Sequence, residues 1–344
     1  MNILVTGNLG YIGSVLTDML LEKNYFVQGY DIGYFEDSNF LKHKVSKIKQ
    51  IKKDIRDIDE SDINEIDIVI HLSALSNDPL GEFDKNLTYQ INYESTLKLA
   101  NICKKKNVKR FIYISSQSMY GISSTDEELD EDNSKKNPVT EYAKTKWKAE
   151  QELFKLNSKD FSVISFRPST VFGVSPRLRC DIVFNNLVAC AYTTGKIEIK
   201  SDGTPWRPVV HIKDVCSAII SGVEAPREIV SGKAYNVGIE NGNYTVREMA
   251  ETAKRIVPNC SLTFTKEHLV DPRTYKVSFK RILTELKDFY KPQWNLEKGG
   301  RELIDFFKKT NFSEYDFRGH KTNRLQNLKK NIPSKYSKSL KLVN

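Results

Sequence analysis

Cysteine is sparse in this sequence of 344 residues, and its few copies form no recognisable pattern. The five cysteines are Cys103, Cys180, Cys190, Cys216 and Cys260, with no C-x-x-C pair among them. An odd and scattered set disfavours both a disulfide framework and a cysteine metal site. We therefore expect no bound metal.

The sequence also lacks long apolar runs. No stretch approaches the roughly 20 apolar residues that a membrane-spanning helix needs. The first residues, MNILVTG, predict a strand and contain neither the basic region nor the small-residue cleavage site of a signal peptide. We expect a cytoplasmic protein without membrane contact.

Acidic residues are nearly absent from the end of the sequence. Residues 316–344 contain eight lysines and arginines but a single acid, Asp316, and the whole chain has a formal net charge of +9. Most of the excess charge therefore lies in this segment, which is typical of a basic tail rather than of a nucleic-acid-binding face. We expect a loosely held arm, and we do not expect nucleic acid as a partner.

Hydrophobic periodicity predicts the fold. Short apolar runs alternate with longer amphipathic stretches, which is the pattern of a parallel sheet flanked by helices. The strand candidates are residues 3–6, 25–30, 66–71, 111–115 and 162–167, and the helix candidates include residues 11–23, 89–105 and 140–157. We expect an α/β protein with a Rossmann-type doubly wound parallel sheet and a smaller C-terminal α/β substrate lobe.

The character of the sequence changes after Val171, where loop signals and turn-rich strands replace the regular alternation. We predict a first domain over residues 1–175, to which residues 209–240 return. The substrate lobe is expected over residues 176–315 and the basic tail over residues 316–344.

A glycine-rich turn follows the first strand candidate and opens the first helix candidate. Residues 6–13 read Thr-Gly-Asn-Leu-Gly-Tyr-Ile-Gly. Gly7 permits a tight turn, Gly10 lets the backbone approach a pyrophosphate, and Gly13 allows the helix to pack closely on the strand. Glycine triplets also occur in ordinary turns, but the strand-turn-helix context predicts a dinucleotide-binding site.

The next strand candidate ends in Asp31, about twenty residues after the glycines. A carboxylate at this position accepts hydrogen bonds from a ribose 2′-hydroxyl and repels the extra phosphate of NADP. The sequence therefore predicts NAD as the cofactor. The alternative is an ordinary surface carboxylate at the end of a strand.

A serine, a tyrosine and a lysine form a candidate acid–base group. Ser116 follows a strand candidate, and Tyr142 and Lys146 lie one turn apart on a helix candidate. A lysine ammonium and an oxidised nicotinamide ring both favour phenolate, so we expect the pKa of Tyr142 to be lowered and Tyr142 to act as general base. Ser116 would hydrogen-bond the reacting oxygen, with Ser115 and Ser118 as the alternatives.

Together, the T-G-x-x-G-x-x-G turn, the Y-x-x-x-K pair and the S-S-x-x-x-Y-G segment resemble the extended short-chain dehydrogenases/reductases of the NAD-dependent nucleotide-sugar epimerase/dehydratase family. The resemblance extends over residues 1–310. It implies an NAD-dependent enzyme acting on a nucleoside diphosphate sugar, and a homodimer formed through paired helices. The cofactor-binding residues that it implies are Gly7, Gly10, Tyr11, Ile12, Gly13, Asp31, Asp54, Ile55, Leu72, Ser73, Ala74, Asn92, Tyr142, Lys146 and Pro168.

The same resemblance implies substrate-binding residues. Arg207 and Arg273 look like the family's diphosphate clamps, for which the planar fork of arginine is suited, although two surface ion pairs are the alternative. Asn186 belongs to an N-N-L segment similar to that of UDP-galactose 4-epimerases, whereas Arg177 belongs to an S-P-R-L-R-C-D segment that resembles GDP-heptose 4-dehydrogenases. The remaining candidates are Ser76, Asn77 and Gln117.

The residues after Ser116 bear on the reaction. Family members that dehydrate their sugar carry an acid pair there, but this chain has Gln117 and Ser118, which disfavours dehydration and decarboxylation. Among reactions at carbon 4 we favour epimerisation, with a 4-dehydrogenase or 4-ketoreductase as the alternative, since Thr170 replaces an asparagine of the epimerases. A redox-silent NAD-binding protein is the alternative from a different class, and the intact catalytic group disfavours it.

Overall fold

The computed structural model describes residues 1–41, 47–123, 127–265, 267, 274–332 and 334–342. Its strands are β1 (Asn2–Thr6), β2 (Phe26–Tyr30), β3 (Lys49–Ile51), β4 (Ile68–His71), β5 (Arg110–Ile114), β6 (Ser162–Pro168), β7 (Thr170–Phe172), β8 (Lys196–Ile199), β9 (Trp206–His211), β10 (Lys233–Val237), β11 (Asn243–Thr245) and β12 (Ser261–Phe264). Its helices are α1 (Tyr11–Glu22), α2 (Asp78–Gly81), α3 (Lys85–Tyr89), α4 (Ser95–Lys105), α5 (Glu141–Leu156), α6 (Val183–Thr194), α7 (Ile212–Glu224), α8 (Arg227–Val230), α9 (Val246–Ile256), α10 (Lys280–Glu285), α11 (Leu296–Lys309), α12 (Glu314–Arg318) and α13 (Arg324–Asn331). Of the helices in these described ranges, none is long and apolar enough to cross a lipid bilayer.

The main sheet has seven parallel strands in the order β10-β6-β5-β4-β1-β2-β3, so the predicted doubly wound α/β fold is confirmed. Both faces are buried, as the apolar runs of its central strands require. Ile3 and Val5 of β1 pack with α1 and α7, whereas Leu4 packs on the opposite face with α4 and α5. The edge strand β3 escaped the sequence prediction because it is short and polar.

The order of the strands creates a crevice beside β1. This strand pairs with β2 on one side and with β4 on the other. Helices leave the sheet in opposite directions at this switch point, so the loops after β1, β2, β4 and β5 open towards a common space. The glycine turn and Asp31 lie in two of these loops.

The second lobe is built on two small sheets, β11-β9-β7 and β12-β8. Around them α6, α9 and α11 enclose a second core that includes Phe172, Phe184, Met249 and Phe307. The chain returns to the main sheet at β10, while residues 209–211 pair with β7 in the three-stranded sheet.

The end of the chain is packed, so the expectation of a loosely held arm is wrong for the described residues of this segment. Leu328 and Leu340 are fully buried and belong to the same apolar core as Ile55, while Leu325 and Ile332 pack against it. These apolar residues are spaced so that they share one face of α13 and its continuation. The basic composition concealed this short pattern, because the lysines of α13 point to solvent.

Candidate active site

A cleft of about 620 Å³ lies at the carboxyl ends of the parallel strands and is lined by both lobes. All of the predicted cofactor-binding residues line it except Asn92. The predicted substrate-binding residues that line it are Ser76, Asn77, Gln117 and Arg207. Arg273 lies outside the described residues. The described structure therefore gathers the catalytic, dinucleotide and diphosphate candidates around one cavity.

The glycine turn requires its glycines. Gly7 has a positive φ of 75°, and a Cβ on it would lie 2.8 Å from the backbone nitrogen of Ser73. A Cβ on Gly13 would lie 2.1 Å from the carbonyl oxygen of Gly7. Gly10 begins α1, and no side chain in the described part of the chain caps its first N–H groups. Backbone donors at a helix start suit a pyrophosphate, so this cradle fits the dinucleotide.

Asp31 is held by backbone donors at the end of β2. One carboxylate oxygen accepts the Leu9 N–H at 3.1 Å, and the other accepts the Gly33 N–H at 2.8 Å. Burial raises the pKa of Asp31 above its ordinary value. The carboxylate is thus fixed at the wall of the cleft, and its contact with a ribose stays a prediction.

Asp54 already has a strong partner that the sequence reasoning missed. Its carboxylate accepts hydrogen bonds from the guanidinium of Arg56, including one of 2.6 Å from Nη2. It also accepts the backbone N–H of Arg56 at 2.8 Å. The expected contact of Asp54 with adenine therefore stays a prediction, and it would have to share a carboxylate that Arg56 occupies.

Asn92 supports the loop after β4 and is not among the residues that line the cleft, and its predicted role as a cofactor ligand stays a prediction. Its side-chain oxygen accepts the Leu75 N–H at 2.8 Å, and its amide donates to the Leu75 carbonyl at 3.2 Å. Asn92 lies in a π-helical turn, Gln90–Glu94, between α3 and α4. The extra residue of such a turn re-aims side chains and is common near functional sites. Leu72, Ser73 and Ala74 are thereby held at the cleft.

The three catalytic candidates come together from two elements. Ser116 follows β5, and Tyr142 and Lys146 lie on α5, whose start is capped by Thr140. Tyr142 and Ser116 both line the cleft, and Ser116 is close enough to lower the pKa of the tyrosine through hydrogen bonding. Lys146 donates from Nζ to the Ile114 carbonyl at 2.7 Å.

The electrostatics of the chain by itself differ from the sequence expectation. Burial raises the pKa of Tyr142, and its hydrogen bond with Ser116 opposes this only in part. Burial also lowers the pKa of Lys146 to about 7, so the ammonium is itself weakened at neutral pH. A lowered pKa of Tyr142 therefore depends on the positive charge that an oxidised nicotinamide would bring.

Gln117 lines the cleft directly after Ser116. Its amide nitrogen donates to the carbonyls of Arg167 at 2.9 Å and Val237 at 3.4 Å. Its side-chain oxygen is buried and has no hydrogen-bond partner among the described residues. The amide orientation is thus set by two strands, which leaves an acceptor rather than an acid beside Ser116.

Arg207 on β9 lines the cleft and donates to the Trp206 carbonyl at 2.8 Å. Arg177 does not line it, and the prediction that it binds substrate stays a prediction. Its guanidinium donates to the carbonyls of Leu9 at 3.2 Å and Glu36 at 3.0 Å. Arg177 therefore joins the glycine turn to the loop after β2.

Asn186 is also outside the lining of the cleft. It is exposed, and its amide donates to the Cys180 carbonyl at 2.9 Å. The preceding residue, Asn185, is buried and donates to the Tyr11 hydroxyl at 3.1 Å while accepting the Gly173 N–H at 2.9 Å. The N-N-L segment thus turns its first asparagine towards the dinucleotide side of the site.

An ion pair that the sequence reasoning missed stands in the cleft. Arg179 and Asp181 form two hydrogen bonds, Nε–Oδ1 at 2.8 Å and Nη2–Oδ2 at 3.1 Å. Arg179 also donates to Ser76, and Asn77 donates to Asp181. No pattern in the sequence singled out Arg179, because Arg177 lies in a turn and the backbone here has no regular period. It is the second arginine that faces the cleft.

Comparison with known proteins agrees with this geometry. Residues 3–238 match the model of the NAD dependent epimerase/dehydratase family. The UDP-glucose 4-epimerase of Bacillus subtilis (strain 168) is 30% identical over 301 residues, covering 74% of this chain and 82% of that protein. The UDP-glucose 4-epimerase of Caenorhabditis elegans is 27% identical over 297 residues, covering 74% of this chain and 83% of that protein.

Solved structures are similar over most of the chain. The UDP-glucuronic acid 4-epimerase from Bacillus cereus, in complex with UDP-glucuronic acid and NAD, is 25% identical with a TM-score of 0.74. The alignment covers 90% of this chain and 99% of that one. MoeE5, in complex with UDP-glucose and NAD, is 23% identical with a TM-score of 0.74, covering 90% of this chain and 100% of that one. The likeness to MoeE5 supports the fold.

Proposed function

Because the chain belongs to the NAD-dependent epimerase/dehydratase family and its cofactor is NAD, we propose that it is a nucleotide-sugar 4-epimerase. The observation that carries the proposal is that Ser116, Tyr142 and Lys146 lie in the same cleft as the glycine cradle, with Lys146 one turn after Tyr142 on α5. The names of the relatives support it.

The described residues fit the cofactor. The backbone donors at the start of α1 would hold the pyrophosphate, and Asp31 would accept from the adenosine ribose. A Cβ on Gly7 or Gly13 would collide with neighbouring backbone, so the tight turn that presents these donors depends on glycine. When bound, NAD accepts a hydride from a sugar carbon and can return it.

Tyr142 and Ser116 would handle the proton. The Tyr142 phenolate would take the proton of the sugar 4-hydroxyl as general base and become the neutral phenol, while Ser116 would hydrogen-bond the same oxygen. Ser116 is oriented for this because its Oγ accepts the Ser118 N–H at 3.1 Å. Lys146, whose Nζ is held by the Ile114 carbonyl, would place positive charge near Tyr142 and so favour its phenolate form.

The absence of acids at positions 117 and 118 favours a reaction confined to carbon 4. Neither Gln117 nor Ser118 exchanges protons usefully near neutral pH, so neither can assist loss of water from the neighbouring carbons. A 4-keto sugar anchored through its diphosphate, for which Arg207 is the described candidate, would rotate and take the hydride back on its other face. That sequence gives epimerisation.

Net oxidation or reduction at carbon 4 is the second candidate. The observation that favours it is the Arg179–Asp181 pair in the cleft, on the segment that resembles GDP-heptose 4-dehydrogenases. Thr170, which also lines the cleft, stands where the epimerases have an asparagine. These residues would alter how the sugar is held after its oxidation.

Incubation with UDP-, dTDP-, GDP- and CDP-sugars distinguishes the two candidates. The absorbance of reduced nicotinamide is followed while the sugar products are identified by nuclear magnetic resonance. Inversion at carbon 4 without accumulation of reduced cofactor is expected for the epimerase. Stoichiometric reduced cofactor with a released keto sugar would remove that proposal in favour of the dehydrogenase.

A homodimer is part of the same proposal. The candidate surface is formed by α4 and α5, which pack on one face of the main sheet. Light scattering of the purified protein measures the mass, and a monomer at all concentrations would contradict a dimer.

A further inference from the structure

Arg324 is a cation that the described protein leaves incompletely satisfied. It opens α13 in the C-terminal segment and is 2% exposed. Nη2 donates to the Arg177 carbonyl at 2.8 Å, but Nη1 is buried without a hydrogen-bond partner among the described residues. Burying such a donor is costly unless a ligand satisfies it. Arg324 lines the cleft, so a ligand there could do so.

The local charge balance favours an anion. Arg324 is surrounded by Arg177 and Arg179, both of which disfavour its charge, and by Asp181, which favours it. The carboxylate of Asp181 is already engaged in two hydrogen bonds with Arg179 and one with the backbone of Arg324. Although burial lowers the pKa of Arg324 to about 9, the guanidinium remains protonated at neutral pH. A second negative group beside these arginines would offset the positive charge that Asp181 alone does not balance.

The position of Arg324 indicates which anion. Its guanidinium lies over the Phe35 ring, 4.4 Å from the centroid, and Phe35 is in the loop that follows Asp31. Tyr11, at the first turn of α1, also acts on its charge. Both neighbours belong to the dinucleotide side of the cleft. We propose that Arg324 is a further NAD-binding residue, whose Nη1 donates to the cofactor pyrophosphate opposite the glycine turn.

The rest of the C-terminal segment supports this role by tying Arg324 to the adenosine side of the cleft. We call residues 322–332 and 334–342 the C-terminal strap. Tyr336 donates to the Gly33 carbonyl at 3.1 Å, and Tyr34 donates to the Leu340 carbonyl at 2.8 Å. Arg56, the partner of Asp54, donates to the Ser339 carbonyl at 2.8 Å.

The strap therefore reaches both loops in which adenosine contacts are expected. It lies beyond residue 238, where the match to the family model ends. Arg324 is therefore not among the residues on which the family assignment rests. The strap would join the NAD site to the end of the chain.

Calorimetry on nucleotide-free protein tests the proposal. Arg324→Gln should weaken NAD and ADP-ribose at least about tenfold, the loss expected of one charge-assisted hydrogen bond in a desolvated site. Adenosine, which has no phosphate, and UDP, which probes the substrate diphosphate site, should keep their affinities. Arg324→Lys, which retains the charge, should recover part of the loss. Lys329→Gln removes an exposed charge from the same helix and should change no affinity.

Unchanged NAD and ADP-ribose affinities in Arg324→Gln would overturn the proposal. So would an equal loss for adenosine, which would mean a disturbed loop, or a loss confined to UDP, which would assign Arg324 to the substrate. If Arg324→Gln fails to fold, amide hydrogen exchange on the unmodified protein tests the proposal instead. NAD should then slow amide exchange in α13 and leave the α9 amides unaffected, and unaltered exchange in α13 would refute the assignment.

Discussion

Replacing Tyr142 with phenylalanine removes one hydroxyl from the cleft and leaves the ring packed where it is. The Tyr142 Cβ lies 2.8 Å from the place where a Cβ on Gly81 would stand, so the backbone of α2 holds the ring closely. Ser116 keeps two other hydrogen bonds, from the Ser118 N–H at 3.1 Å and to the Ser118 hydroxyl at 3.0 Å. The substitution therefore orphans no buried group.

The expected losses in stability, NAD affinity and kcat distinguish a role of Tyr142 in catalysis from a role in folding or cofactor binding. Loss of a single neutral hydrogen bond lowers the free energy of unfolding by about 1 kcal/mol, and the Kd for NAD should rise by at most about tenfold. Loss of the general base should lower kcat by about 10²–10⁴-fold. The loss in kcat should therefore exceed anything that weaker cofactor binding could cause.

The assay is kcat on each accepted nucleotide sugar at saturating NAD, with urea unfolding of the same preparation. Tyr25→Phe is the matched control, because it removes a hydroxyl that donates to Glu224 outside the cleft. Turnover of Tyr142→Phe within a few-fold of the unmodified enzyme would refute the assignment of Tyr142 as the base.

Three further substitutions test the surroundings of the site. Lys146→Met should move the acid limb of the kcat/KM profile to higher pH, because the lysine, whose pKa burial lowers to about 7, is protonated on the acid side and there favours the Tyr142 phenolate. Asp31→Asn should reduce the preference for NAD over NADP, measured as a ratio of Kd values, by about tenfold or more, because the charge that repels the extra phosphate is lost. Glu150→Gln should lower the free energy of unfolding by about 3–5 kcal/mol in urea, because Arg167 is left buried without its ionised partner.

Each of these has a contradicting outcome. An unmoved acid limb would mean that Lys146 has no influence on the tyrosine. An unchanged cofactor preference would remove Asp31 from the ribose site. Glu152→Gln, which breaks an exposed pair with Lys155, is the control for the buried pair and should cost no more than about 0.5 kcal/mol. Equal losses for Glu150→Gln and Glu152→Gln would contradict the stability argument.

Local sequence patterns were sufficient to predict the fold and the candidate site wherever neighbours in the chain are also neighbours in space. The glycine turn could be recognised because a strand, a tight turn and a helix start follow one another within a few residues. Tyr142 and Lys146 could be paired because a helix brings residues four apart to one side. For the same reason the alternation of apolar runs predicted the parallel sheet. Its edge strand β3 was missed because three mostly polar residues carry no such period.

Patterns were insufficient where the direction of one side chain decides its role. The sequence could not tell Arg177 from Arg179, because the turn at Arg177 gives the segment no regular period, or Asn185 from Asn186, because neighbouring helix residues point in different directions. Asn92 belongs to a recognisable motif, yet a π-helical turn aims it at the loop after β4. Composition also misled for the basic tail, in which a few apolar residues outweigh many charges.

By itself, the sequence determined the fold class and the dinucleotide cofactor and predicted a catalytic group, because these depend on short-range periodicity and on residue chemistry. Only the tertiary structure decided that α13 carries Arg324 to the wall of the cleft and that burial opposes ionisation of Tyr142. Both results depend on contacts between residues far apart in the chain and on the exclusion of water from them. No local pattern of residue types reveals the long-range contacts or the exclusion of water.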